Sequence, residues 1–136
     1  FAHFATDAAV EGGGAGGGGG GGVFLGTDAS ERWTVAQFRE YSAPYFSRGQ
    51  GWTYVPRAGS RHVMFPRTGG VAPTVAWFSE LLDNQKYGLC RGTGVLVREG
   101  GAWRIAQYDL HFAVPNDAAG AVVEAIRKAG GGTPER

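Results

Sequence analysis

One cysteine, three histidines, one net positive charge and no long apolar run are the scarcities of this chain of 136 residues, and each excludes something. A lone Cys90 cannot close an internal disulfide, and with so few histidines there is no Cys/His cluster at zinc spacing, so neither a metal nor a cofactor is expected. Thirteen Lys and Arg against twelve Asp and Glu give no basic footprint for phosphates, which argues against nucleic acid as a partner. No run approaches the roughly 20 apolar residues that cross a bilayer, and no basic segment followed by an apolar one opens the chain. A cytoplasmic protein away from membranes is the expectation, although the chain begins at Phe1 and reads as incomplete at its N-terminus.

What is abundant is glycine. Gly12 to Gly22 holds ten glycines and Ala15. Such a tract offers nothing to bury and has the most conformational entropy to lose, so it is expected to be a flexible insertion. A phosphate-cradling loop needs a Lys-Ser/Thr pair or spaced glycines opening a helix, and Val23-Phe24-Leu25 follows instead. The tract divides the chain into residues 1–10, read as the remnant of a helix, residues 11–22 as the insertion, one domain over 23–129, and a disordered tail over 130–136. An apolar content of 43% suits a single core.

Within the domain, Val23 to Thr27 reads as a short strand. Thr34-Val35-Ala36-Gln37 matches a capping box, with Val35, Phe38, Tyr41, Ser42 and Tyr45 forming the stripe of the helix it starts. From Trp52 the period becomes two. Val75 to Leu82, Leu89 to Arg98 and Trp103 to Val114 are the long strand candidates, and Glu99-Gly100-Gly101 joins the last two as a hairpin. Asn116 and Asp117 offer an N-cap to a C-terminal helix whose apolar face is Val122, Val123 and Ile126. A helix, a sheet run and a helix predict the α+β class.

The stretch Phe24 to Trp33 before a capped helix, then Val75-Ala76-Trp77-Phe78, Arg91 to Leu96, and above all Gly101-Ala102-Trp103-Arg104-Ile105, a "G-x-W-[KR]-I" strand, resemble the SnoaL-like domains of the nuclear transport factor 2-like superfamily. The likeness spans roughly Val23 to Lys128. It implies a curved antiparallel sheet wrapped around helices as a cone, an additional C-terminal helix, a cavity between sheet and helices, and often a homodimer through the sheet. It also implies a long leading helix over the open side of the cone, of which only Phe1 to Ala9 would represent the end. Relatives of this kind include isomerases, cyclases, dehydratases and pure binding or assembly modules, so the scaffold leaves function open.

Candidate site residues follow from strand alternation. Strict alternation puts Trp103, Ile105, Gln107, Asp109 and His111 on one face and Arg104, Ala106, Tyr108, Leu110 and Phe112 on the other, with either face free to line the cone. Asp109 and His111 are the close acid/imidazole pair, able to move a proton near neutral pH or else simply solvated. Arg91 suits an anionic ligand, or a surface carboxylate. Trp33, Phe38, Tyr41, Trp52, Tyr54, Trp77 and Tyr87 exceed the aromatic need of a plain core, and Tyr54 and Tyr87 carry hydroxyls that orient a ligand. The predicted binding set is therefore Tyr54, Trp77, Tyr87, Arg91 and Gln107, and the predicted catalytic pair Asp109 and His111. The reading favours a module that binds a small apolar or anionic organic ligand and pairs as a homodimer through Tyr108, Leu110 and Phe112. The alternative is an isomerase or cyclase using Asp109 or His111 for proton transfer.

Overall fold

A computed structural model describes residues 21–67 and 69–130. The expected helix remnant, most of the glycine tract and the end of the expected tail lie outside the described residues. The elements are β1 (Val23–Leu25), β2 (Arg32–Thr34), α1 (Val35–Phe46), β3 (Val55–Pro56), β4 (His62–Met64), β5 (Val75–Asn84), β6 (Gly88–Glu99), β7 (Ala102–Phe112) and α2 (Ala119–Lys128), the last entered through a 3-10 turn at Asn116–Ala118.

The seven strands form one sheet in the order β2-β1-β7-β6-β5-β3, with β4 sharing the edge of β5. Its centre is the antiparallel pairing of the three long strands. Gly100 and Gly101 are the whole of the β6–β7 connection, and both take positive φ, the geometry of a two-residue turn whose twist matches that of the strands. The sheet is mixed, not purely antiparallel, because β1 runs parallel to β7. No short loop joins these two strands, so hairpin geometry does not dictate their direction.

The α1 helix begins with the expected box: the Gln37 N–H donates to the Thr34 hydroxyl at 3.2 Å, and the Thr34 N–H donates to the Gln37 side chain at 2.9 Å. Pro44 lies in the last turn and removes one helical donor without ending the helix before Phe46. α1 lies against β1 and β2. Beneath it, Leu82, Cys90 and Leu110 form the buried cluster, with Phe24, Tyr54 and Tyr108 packed around them. The Cys90 thiol is wholly buried, and burial pushes its pKa up, which makes it an inert packing group.

α2 has the expected apolar side, yet among the described residues it touches only the turn that precedes it. Val123 and Ile126 stand exposed. Neither Asn116 nor Asp117 caps it through a side chain.

Candidate functional site

The two faces of the sheet are sorted by register, since directly opposed residues on neighbouring strands project to the same side. Phe24, Tyr108, Gly94 and Phe78 lie in line across β1, β7, β6 and β5, and Leu110, Gly92 and Glu80 form the next rung. This inner side faces α1, as the stacking of Phe24 on Phe38 at 4.5 Å shows. Tyr108 continues the column, 5.8 Å from Phe24 and 6.1 Å from Phe78. Room for it comes from glycine: a Cβ at Gly92 would collide with the Tyr108 hydroxyl, and one at Gly94 would meet the backbone oxygen of Gln107 at 2.7 Å.

A β-bulge breaks the strict alternation. Val95 opposes Gln107 while Leu96 opposes Ile105, so Ala106 is an extra residue in β7. Trp103 and Ile105 therefore belong to the side of Tyr108 and Leu110, not to that of Gln107 and Asp109, and the five-residue faces read from the sequence are each split at this point.

Between the inner face and α1 lies an open-mouthed cavity of about 330 Å³. Trp33, Phe38, Tyr41, Trp52, Tyr54 and Tyr87, six of the seven aromatics singled out above, line it, joined by Phe24, Phe46, Tyr108 and Leu110 from the strands and helix. The mouth is itself a stacked assembly. Trp33 stacks on Tyr41 at 5.0 Å, and Trp52 packs against Tyr45 at 5.3 Å, Phe46 at 6.0 Å and Tyr41 at 6.2 Å.

Asn84 positions two separate parts of this wall. Its side-chain oxygen accepts from the backbone N–H groups of Lys86 and Tyr87, both at 2.9 Å, closing the β5–β6 turn that presents Tyr87. Its side-chain nitrogen donates to the Thr53 carbonyl at 2.9 Å, tying down the segment that carries Trp52 and Tyr54.

Polar groups within the cavity are few. Desolvation, reinforced by the nearby Glu80 carboxylate, pushes the Tyr108 pKa up to about 12, so its hydroxyl keeps its proton as a donor. Burial likewise raises Tyr54. Among the described residues Glu31 is the single charged residue of the lining, its carboxylate held by the Asp28 N–H at 3.1 Å. Outside this lining, at a smaller cleft, Glu80 is only 7% exposed and receives two hydrogen bonds from Arg61, at 2.8 and 2.6 Å.

Of the predicted binding set, Tyr54 and Tyr87 stand in this cavity. Trp77 and Gln107 oppose Val95 from either side on the outer face, where Trp77 is 40% exposed. Arg91 opposes Leu81 and His111 on that same outer face and borders this smaller cleft, of about 190 Å³, with His62, Ser79 and Ser60. Asp109 and His111 also project outward. The Asp109 Oδ1 and the His111 Nδ1 are 3.9 Å apart, too far for a hydrogen bond, and their side chains are 37% and 46% exposed. Tyr108, Leu110 and Phe112 share the inner side, where Leu110 is only 6% exposed and Tyr108 packs on the core while Phe112 stays exposed, so most of the dimer surface expected there is taken up by packing. Lining residues that the sequence reading did not single out for the cavity include Tyr108 and Leu110, read as part of that surface, and Phe24, Phe46 and Glu31. Among the described residues no group of three His, Cys, Asp or Glu is placed to hold a metal, and no helix is long and apolar enough to cross a membrane.

An α+β domain with an aromatic cavity between a mixed sheet and a helix is the class these features define. The pattern of the SnoaL-like domain matches residues 19–115, and the chain belongs to that family. It is similar in structure to an uncharacterised protein with a cystatin-like fold from Caulobacter vibrioides, at 17% identity over 76% of each chain with a TM-score of 0.48. A protein of unknown function from Mycobacterium tuberculosis is similar at 19% identity, over 79% of this chain and 66% of that one, with a TM-score of 0.40. No curated protein matches the chain.

Proposed function

We propose that this SnoaL-like domain is a binding module that takes a small, largely apolar organic molecule into the aromatic cavity and performs no proton transfer through Asp109 or His111. The observation that carries the reading is the lining: among the described residues, ten aromatic and aliphatic side chains converge on one space, with hydroxyls and a single carboxylate as its polar features. A volume of about 330 Å³ lies within the range of small-molecule sites, roughly 300–1,000 Å³. The outward strand positions and exposure of Asp109 and His111 support the binding reading over the isomerase alternative at those two residues. A homodimer remains part of the proposal, now through the outer face, where Trp77, Met64 and Val75 are exposed; sedimentation is its measurement.

The test is fluorescence titration with a bicyclic aromatic probe such as 2-naphthol. Saturable quenching of the mouth tryptophans is expected, and Trp52→Ala should weaken binding about tenfold, the loss of one aromatic contact. A wild-type protein that shows no saturable change overturns the reading.

A further inference from the structure

We infer that the ligand of this cavity is an organic cation, a quaternary or tertiary ammonium carried on an apolar body, held between the mouth aromatics and the Glu31 carboxylate. The inference rests on the binding-module reading and adds to it the charge of the ligand. Three independent observations converge. Among the described residues the lining holds one charged residue, Glu31, and neither a lysine nor an arginine. The rings of Trp33, Tyr41 and Trp52 stack on one another, which covers the faces they share, but Tyr41 and Trp52 keep exposed ring surface, and an open aromatic face attracts a cation within about 6 Å of its centroid. One lining ring already holds an ammonium: Lys86 Nζ lies 4.9 Å from the centroid of Tyr87.

The carboxylate is placed rather than incidental. The Glu31 side chain folds over Gly26, where a Cβ would collide with its Oε2, and the Asp28 N–H holds that same oxygen. Tyr41 is raised chiefly by its neighbour Tyr45 and Tyr54 chiefly by burial, and the negative field of Glu31 adds a smaller push to both. Asp28 on the same loop is kept below the usual carboxylate range by hydrogen bonds from Ser30, so a second negative charge stands behind the first. An anion entering here would meet this repulsion, and among the described residues no lysine or arginine lines the cavity; Lys86 reaches it only over the Tyr87 ring, where it is already engaged. A neutral body would gain the apolar contact alone. A cation gains the contact, the ring faces and the carboxylate together.

Benzyltrimethylammonium and its neutral carbon isostere neopentylbenzene separate these cases, because they share shape and differ in charge. Titrated into the full chain by fluorescence and calorimetry, the cation should bind about tenfold more tightly than the isostere. Glu31→Gln retains an acceptor for the Asp28 N–H, so the loop should stay in place while most of that preference disappears. Trp52→Leu should cost the cation more than the isostere. Saturable binding of both probes with equal affinity, or tighter binding of the isostere, overturns the cation inference and leaves the aromatic cavity as a binding site. A tenfold preference that survives both substitutions overturns the assignment to Glu31 and the mouth rings. Binding of neither probe, where 2-naphthol still binds, also overturns the cation inference; failure of all three removes the binding-module reading with it.

Discussion

The inner and outer faces of β5, β6 and β7 are built from the same three strands and obey different rules. On the inner face, size alternates against size: Gly94 lies between Phe78 and Tyr108, and Gly92 accommodates the Tyr108 hydroxyl. On the outer face, Trp77 and Gln107 flank Val95, Ser79 and Asp109 flank Thr93, and Leu81 and His111 flank Arg91, with no such close approach. The inner face has to be matched atom by atom because it is packed. The outer face can be polar, apolar or charged in turn because water or a partner surface accommodates it. Chemistry-bearing residues are therefore easier to notice on the outer face, and the residues that shape the cavity look like ordinary core.

The largest expected break in this comparison comes from Gly94→Val. A Cβ there meets the Phe78 ring and, at 2.7 Å, the backbone oxygen of Gln107, and a main-chain atom in a central strand has nowhere to go. Overpacking of this kind should cost about 2–4 kcal/mol in urea unfolding. Thr93→Val, one residue along on the other face, should stay within about 1 kcal/mol. Equal costs for the two would dissolve the distinction between the faces.

That asymmetry also explains what was legible in the sequence. Thr34 with Gln37 and the Gly100-Gly101 turn are local, so short-range chemistry predicted them and the structure has both. The three long strands are found within two residues of their predicted ends. The aromatic surplus pointed to a cavity, because six of its seven members do converge. Ala106 was invisible as a bulge, since one inserted residue leaves no compositional mark yet reverses every side chain on one side of it. The role of Asn84 was equally hidden, because it joins Thr53 and Tyr87, which only the folded chain brings together. The parallel direction of β1 and the bare apolar side of α2 depend on tertiary placement, which periodicity does not encode.

A second, smaller effect tests the interior character of Tyr108. Its folded pKa of about 12 lies above the ordinary value of 10.0, so between those limits the folded state holds a proton that the unfolded state has lost. Stability is then complete below pH 10 and falls as pH rises toward 12. The loss is at most about 3 kcal/mol, and screening through the open mouth should reduce it to about 1–2 kcal/mol. Tyr108→Phe should flatten this part of the stability curve relative to the wild type, as followed by urea unfolding at a series of alkaline pH values. An unchanged slope would mean that the Tyr108 hydroxyl is as well solvated as an outer-face group.

The smallest effect should come from Asp109→Asn, although Asp109 is the residue whose chemistry stands out most in the sequence. It shares its rung with Thr93 and Ser79 on the outer face, and its Oδ1 is 3.9 Å from the His111 Nδ1. Its carboxylate is more than a third exposed, where water screens whatever it faces. Asparagine keeps the shape and removes only the charge, so unfolding free energy should stay within about 0.5 kcal/mol. Affinity for 2-naphthol should stay within about twofold, since no lining group is altered and the sheet separates the two sites. Trp52→Ala, measured beside it, provides the contrast: a surface that looks chemical but does not touch the ligand, against one that looks structural and does. A tenfold loss of affinity in Asp109→Asn, equal to that of Trp52→Ala, would place the functional surface on the outer face and reverse the assignment of the two sides.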